Sequence, residues 1–217
     1  MSMETFLQQV AHDLYNKLEG DFSDVAVVFP NKRAGLFFNE YLVQESKHPL
    51  WSPTYISISE LFRRSSSLQV GDPVKLVCDL YKIFTQVTGS TETLDDFYFW
   101  GEMLIGDFDD ADKNLVKTEA LFNNLKDLND LGNDYAFLEE GQKEALNQFF
   151  HNFSIDQVTE LKQRFMSLWD VLGDIYTQYK DLLQQQSIAY EGMLYRQVIE
   201  SLEVEKLPYK KYIFVGF

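Results

Sequence analysis

Cysteine is nearly missing from this chain. The one residue, Cys78, excludes an intrachain disulfide and fits a reducing compartment, for which the cytoplasm is the natural expectation. It sits in an apolar helical stretch and reads as a packed side chain rather than a nucleophile. Long apolar runs are also missing, and no segment approaches the roughly 18 residues of a membrane span. Met1-Ser-Met-Glu-Thr has no basic region followed by an apolar core, so no signal peptide is expected. Basic residues are scarce, with 19 Lys and Arg against 34 Asp and Glu and a formal net charge of −15. The basic footprint of a standalone nucleic-acid binder is therefore absent, and any DNA contact must be local or shared with a larger assembly. There is no internal repeat and no low-complexity tract.

Catalytic signatures are missing as well. The G-x-x-x-x-G-K-[ST] pattern is absent, so no loop of that type would cradle a nucleotide phosphate and its Mg²⁺. The last strand-like stretch ends Val215-Gly-Phe217, not in the acidic pair of a Walker B strand. Asp107-Phe-Asp-Asp-Ala-Asp112 fails as a calcium loop, because the sixth position is Asp112 and the twelfth Thr118. It reads instead as a charged helix start, with Asp109 and Lys113 spaced for an i,i+4 pair. Glu45-Ser-Lys47 and Glu160-Leu-Lys162 match the short D/E-x-K pattern of metal nucleases, but both lie in helical context and are set aside. His12, His48 and His151 have no metal-ligand spacing, and His12 reads as a helix-surface residue. No G-x-S-x-G elbow occurs. Neither a metal site, a cofactor site nor a catalytic constellation is expected.

What the chain does have is a large apolar share, 45% of 217 residues, with 18 Phe and 12 Tyr. Val25 to Phe29 is a five-residue apolar run, short enough for a strand buried on both faces. Pro30-Asn31 stops it, and from Arg33 to about residue 45 the spacing turns helical. Strand, polar turn and amphipathic helix make half of a βαβ unit. Ligands bind at the carboxyl ends of such strands. Asn31, Lys32 and Arg33 stand there, with donors that suit an anion such as a phosphate backbone. The same residues also fit an ordinary solvated turn. Arg63-Arg64, following a second strand at Thr54–Ile58, form another basic spot that could lie beside the first. A solvated helix end explains them equally well.

The periodicity predicts an N-terminal helix ending near Gly20. Ser57 and Glu60 have capping-box spacing before a short helix. Residues 1–70 thus read as α-β-α-β-α. Asp72-Pro73 opens a helix to about Val87, and Leu94 to Ile105 forms another. Further helices are expected over 110–129, 139–151, 157–186 and 190–202, with Ser154 and Gln157 spaced as a cap. No strand is expected between about 60 and 210. Trp100, Trp169, Phe165, Tyr176 and Tyr179 read as helix-packing residues rather than base-stacking platforms. The acidity is concentrated in 71–140, whose net charge is −11 against −2 on either side. Lys211-Tyr-Ile-Phe-Val-Gly-Phe217 returns to strand character and is expected to rejoin the sheet of 25–29. It reads either as a natural end docked in the sheet or as the point where a longer protein continues, and the second is favoured.

Several blocks resemble one family. Val25-Ala-Val-Val-Phe-Pro-Asn-Lys-Arg-Ala-Gly-Leu-Phe-Phe-Asn-Glu-Tyr-Leu42 and Trp51-Ser-Pro-Thr-Tyr-Ile-Ser-Ile-Ser-Glu-Leu-Phe62 are similar to the N-terminal part of AddB-type, RecB-family exonucleases. Asp95-Asp-Phe-Tyr-Phe-Trp-Gly101, Asp107–Lys113, Ala189–Arg196 and Ile213–Phe217 extend the resemblance. The resemblance implies a P-loop-NTPase-like (RecA-like) α/β domain over 1–70 and 205–217, and a helical 1B-like insertion over 71–204. It implies a non-catalytic, helicase-like scaffold of a DNA-end-processing exonuclease in recombinational repair. The PD-(D/E)XK nuclease would belong to a longer parent, and a helicase–nuclease subunit of AddA type would be the partner. The loop of Pro30–Arg33 would meet the DNA backbone. Lack of both Walker motifs departs from active helicases and implies that the helicase-like part is no motor. An adaptor for proteins, built on the acidic helical block and without a nucleic-acid role, is the alternative.

Overall fold

The computed structural model describes residues 4–46, 48–122, 158–202 and 207–217, with the backbone path alone for 158–169. Its contacts fall into two compact units, 1–67 with 197–217 and 68–196. The sequence reading puts these limits at 70 and 205.

The first unit is α/β. Helix α1 (Phe6–Lys17) is capped by Thr5, whose hydroxyl accepts from the Gln8 amide at 3.3 Å. Strand β1 (Val25–Phe29) follows, then α2 (Lys32–Glu45), β2 (Thr54–Ser57), α3 (Ile58–Ser65) and, at the far end of the chain, β5 (Lys211–Phe214). The sheet order is β2-β1-β5, and both pairings are parallel. Every residue of β1 is buried, as a central parallel strand requires. Its alternation feeds two cores. Val25, Val27 and Phe29 face Ala11, Phe38 and Leu42 of α1 and α2, whereas Ala26 and Val28 join Ile56, Leu61, Tyr209 and Tyr212. Ser57 ends β2 and caps α3 through the Glu60 amide at 3.3 Å, so strand and helix join without a loop. Ile58, expected to end the strand, therefore opens the helix.

The second unit is helical. Helix α4 (Pro73–Thr88) has Asp72 as N-cap and Pro73 in its first turn, and ends on Gly89 in the left-handed region at φ +68°, where glycine carries no side-chain penalty. Helix α5 (Leu94–Lys113), α6 (Val158–Gln185) and α7 (Glu191–Ser201) follow among the described residues, and the division between the units falls within α7. Aromatic rings pair across these helices, Phe84 with Phe97 at 4.7 Å and Phe108 with Tyr176 at 5.1 Å between centroids. Tyr176 and Tyr179 are buried, and Cys78 is half-buried. No described helix is long and apolar enough to cross a membrane.

Two expectations need correction. Residues 107–112 do not start a helix; they form the closing turns of α5, which runs unbroken from Leu94. Two strands do occur within 60–210, β3 (Gln69–Val70) and β4 (Ile188–Ala189), paired in parallel. At two residues each they are too short to show any alternation. Residues 118–122 are helical again. The rest of the helix expected over 110–129, that over 139–151, the Ser154–Gln157 cap, His151, and the side chains of Glu160, Lys162, Phe165 and Trp169 lie outside the described residues.

Candidate nucleic-acid interface

In register, Phe29 of β1 stands beside Ser57 of β2. The residues that follow each strand therefore emerge at one edge of the sheet. Asn31 keeps an extended backbone, and its Oδ1 accepts from the Ala34 amide at 3.1 Å. It is the N-cap of α2, so its oxygen serves the helix. Lys32 is the first residue of that helix and three-quarters exposed, with Nζ 3.2 Å from Glu60 Oε2. Arg33 beside it is exposed.

Glu60 also accepts, through Oε1, from Arg64 one turn along α3. Burial raises the Glu60 carboxyl, but the hydrogen bonds from Lys32 and Arg64 outweigh it and hold the group below the usual carboxylate value. Two cations thus share one carboxylate and leave one net positive charge. Arg63 and Arg64 lie in the last turn of α3, which is eight residues long. Arg63 has a partner within the fold. Arg64 additionally borders a pocket of about 310 Å³ floored by Ile56, Leu61, Tyr209 and Tyr212.

The structure brings Lys32 and Arg64 together on Glu60, with Asn31 as cap and Arg33 exposed alongside. Glu60 is the functional candidate missed by the sequence reading, which saw it only as half of a capping box. Its i,i+4 spacing to Arg64 was the available signal. The arrangement presents an ammonium and a guanidinium, groups that bind anions. It holds no nucleophile with an adjoining base.

Among the described residues two buried carboxylates lie elsewhere, and each is held by partners within the helical unit. Asp112, fully buried, accepts from Tyr176 Oη and Tyr190 Oη at 2.5 Å each and pairs with Arg196 Nε at 2.6 Å and Lys180 Nζ at 3.3 Å. Burial, then Asp112 itself, pushes both tyrosine hydroxyls far up. Asp79 pairs with Lys75 at 2.6 Å and Lys82 at 2.7 Å. Burial would raise its carboxyl, yet the hydrogen bonds from these lysines lower it. The i,i+4 pair expected between Asp109 and Lys113 is present at 2.7 Å, and Glu191 joins it at 3.1 Å. Burial works against the Lys113 charge, but these hydrogen bonds push its pKa up to about 12. Among the described residues no group of three or more His, Cys, Asp or Glu could hold a metal ion.

No protein-family model, curated protein or solved structure matches the chain.

Proposed function

We propose that the first unit is a RecA-like, helicase-type module without motor activity, which meets a DNA backbone at the carboxyl edge of its parallel sheet. In this reading the chain is the non-catalytic scaffold of a DNA-end-processing exonuclease of the AddB or RecB type, and the helical unit is its 1B-like insertion. An AddA-type subunit would be the partner. The supporting observation is the convergence of Lys32 and Arg64 on Glu60, from the helices that follow two adjacent parallel strands, beside the exposed Arg33. Phosphate contacts of this kind fix register and orientation without reading bases.

The test is fluorescence anisotropy of the chain with single-stranded and tailed duplex DNA at low and moderate salt. Binding should weaken as salt rises, and Lys32→Ala with Arg33→Ala should weaken it further. Salt-insensitive binding, or binding indifferent to that double substitution, would refute the assignment.

One observation favours the adaptor reading. Phe99 on α5 is 66% exposed, with exposed Asp95 and Asp96 a turn before it and Glu102 three residues after. Exposed aromatic rings are a feature of protein-contact surfaces, whose rim is polar. Failure to bind DNA even at low salt, with capture of a partner that Phe99→Ala abolishes, would decide for this reading.

A further inference from the structure

We infer that Glu60 is a resident counter-ion, which occupies Lys32 and Arg64 until a polyanion displaces it and so sets the affinity and salt dependence of the edge site. The inference rests on the phosphate-binding reading above.

Glu60 is held differently from its partners. Its amide is fixed by the Ser57 hydroxyl at 3.3 Å, and its side chain is only 24% exposed. The two cations are the loose ends, with Lys32 76% and Arg64 49% exposed. In a reciprocal capping box the glutamate would turn back to the amide of the cap residue. Here each carboxylate oxygen is instead given to one cation, Oε2 to Lys32 and Oε1 to Arg64. Lys32 belongs to another helix, so the carboxylate links the first turns of α2 and α3 at the sheet edge.

Exposed ion pairs are individually weak, since water screens them and long side chains lose freedom in making them. A phosphodiester offers charge-assisted acceptors of the same kind, so it can take over Lys32 and Arg64. The exchange has a cost: Glu60 is partly buried and loses the partners that support its charge. Affinity should therefore be lower than the number of basic residues suggests. The carboxylate cancels one of the two charges, so only one counts fully towards counter-ion release.

The experiment compares the whole chain with its Glu60→Gln variant, which keeps size and the Ser57 cap, against an oligodeoxythymidine probe over a salt series. Circular dichroism checks that both are folded. Glu60→Gln should bind about three- to ten-fold more tightly. Its slope of log affinity against log salt should steepen by about 0.7, as one more charge becomes available. The gain should shrink when Lys32→Ala and Arg64→Ala are added, because Glu60 acts through them. Equal or weaker binding by Glu60→Gln, with the wild type binding normally, overturns the counter-ion role and leaves the DNA reading standing. Absence of binding by both proteins overturns the DNA reading and the competition with it. Acylation of Lys32 by an acetyl ester reports the pairing without DNA: faster labelling in Glu60→Gln supports it, and an unchanged rate overturns it.

Discussion

The Gly192 amide donates to Asp109 Oδ1 at 2.5 Å, across 83 residues of sequence. Asp109 lies near the end of α5 and Gly192 at the start of α7, so the carboxylate meets a free amide where the dipole of α7 is positive. The helices approach so closely that a Cβ on Gly192 would stand 2.2 Å from the Asp109 carbonyl oxygen. Backbone is in the way there, and no flexible side chain can yield. Gly192→Ala should therefore destabilise the helical unit by about 1–3 kcal/mol or more. Asp109→Asn should cost less, about 1–2 kcal/mol, because an amide oxygen still accepts. Chemical denaturation of the two variants gives the order, and a harmless Gly192→Ala would disprove the close approach.

Asp112 gathers Tyr176, Tyr190, Lys180 and Arg196 around one buried carboxylate. Arg196 also donates to the carbonyls of Ala111, in the last turn of α5, and Val116, just beyond that helix, at 3.0 and 2.7 Å. Such a pair need not be better than an apolar substitute, but removing one member strands the other in low dielectric. Asp112→Ala should cost about 3–5 kcal/mol. Tyr190→Phe, which leaves the carboxylate its other donors, should cost about 1–2 kcal/mol. Denaturation midpoints in the reverse order would show that the charge is not what needs these partners.

Part of this was legible in advance because it is local. Val25 to Phe29 carries the signature of a strand buried on both faces within five residues. The Asp72-Pro73 and Ser57–Glu60 caps involve side chains three residues from the amides they bind. What escaped depends on distant partners. Carboxylates at 107–112 look like a helix start because the dipole disfavours them at the other end. Asp112 is tolerated there because Tyr176, Tyr190 and Arg196, 64 to 84 residues later, surround it, and Asp109 because Lys113 and the Gly192 amide take its oxygens. Likewise Lys32 and Arg64 read as two basic spots that could lie side by side, but without Glu60 between them. Their common partner follows only from the parallel pairing of β1 with β2.

Asn31 allows capping to be separated from anion binding. Its Oδ1 holds the Ala34 amide, and aspartate caps as well as asparagine does. Asn31→Asp should leave stability unchanged or slightly raised, since a negative charge also suits the helix N-terminus. It should nevertheless weaken DNA binding, by adding a charge beside Lys32 and Arg33. Asn31→Ala should do the opposite, costing about 1 kcal/mol of stability with a smaller effect on binding. Thermal melts and anisotropy on the two variants must diverge in this way if the loop meets phosphate.

His12 on α1 reaches Glu45 at the end of α2, Nδ1 to Oε2 at 2.8 Å. The hydrogen bond to Glu45, then its charge, raises the His12 pKa above the ordinary 6.5. A raised histidine favours the folded state in its protonated form. Its contribution is fully present below the unfolded value and is lost as pH rises through the folded one. The α1–α2 contact should therefore be stronger at pH 5.5–6, on the order of one pH unit below the ordinary histidine value, than at pH 8. Proton NMR of the His12 ring should give a midpoint above 6.5, and Glu45→Gln should bring it down towards that value. In the same variant the stability difference between the two pH values should diminish. A His12 midpoint unmoved by Glu45→Gln would mean that the ring and the carboxylate are neighbours without being partners in solution.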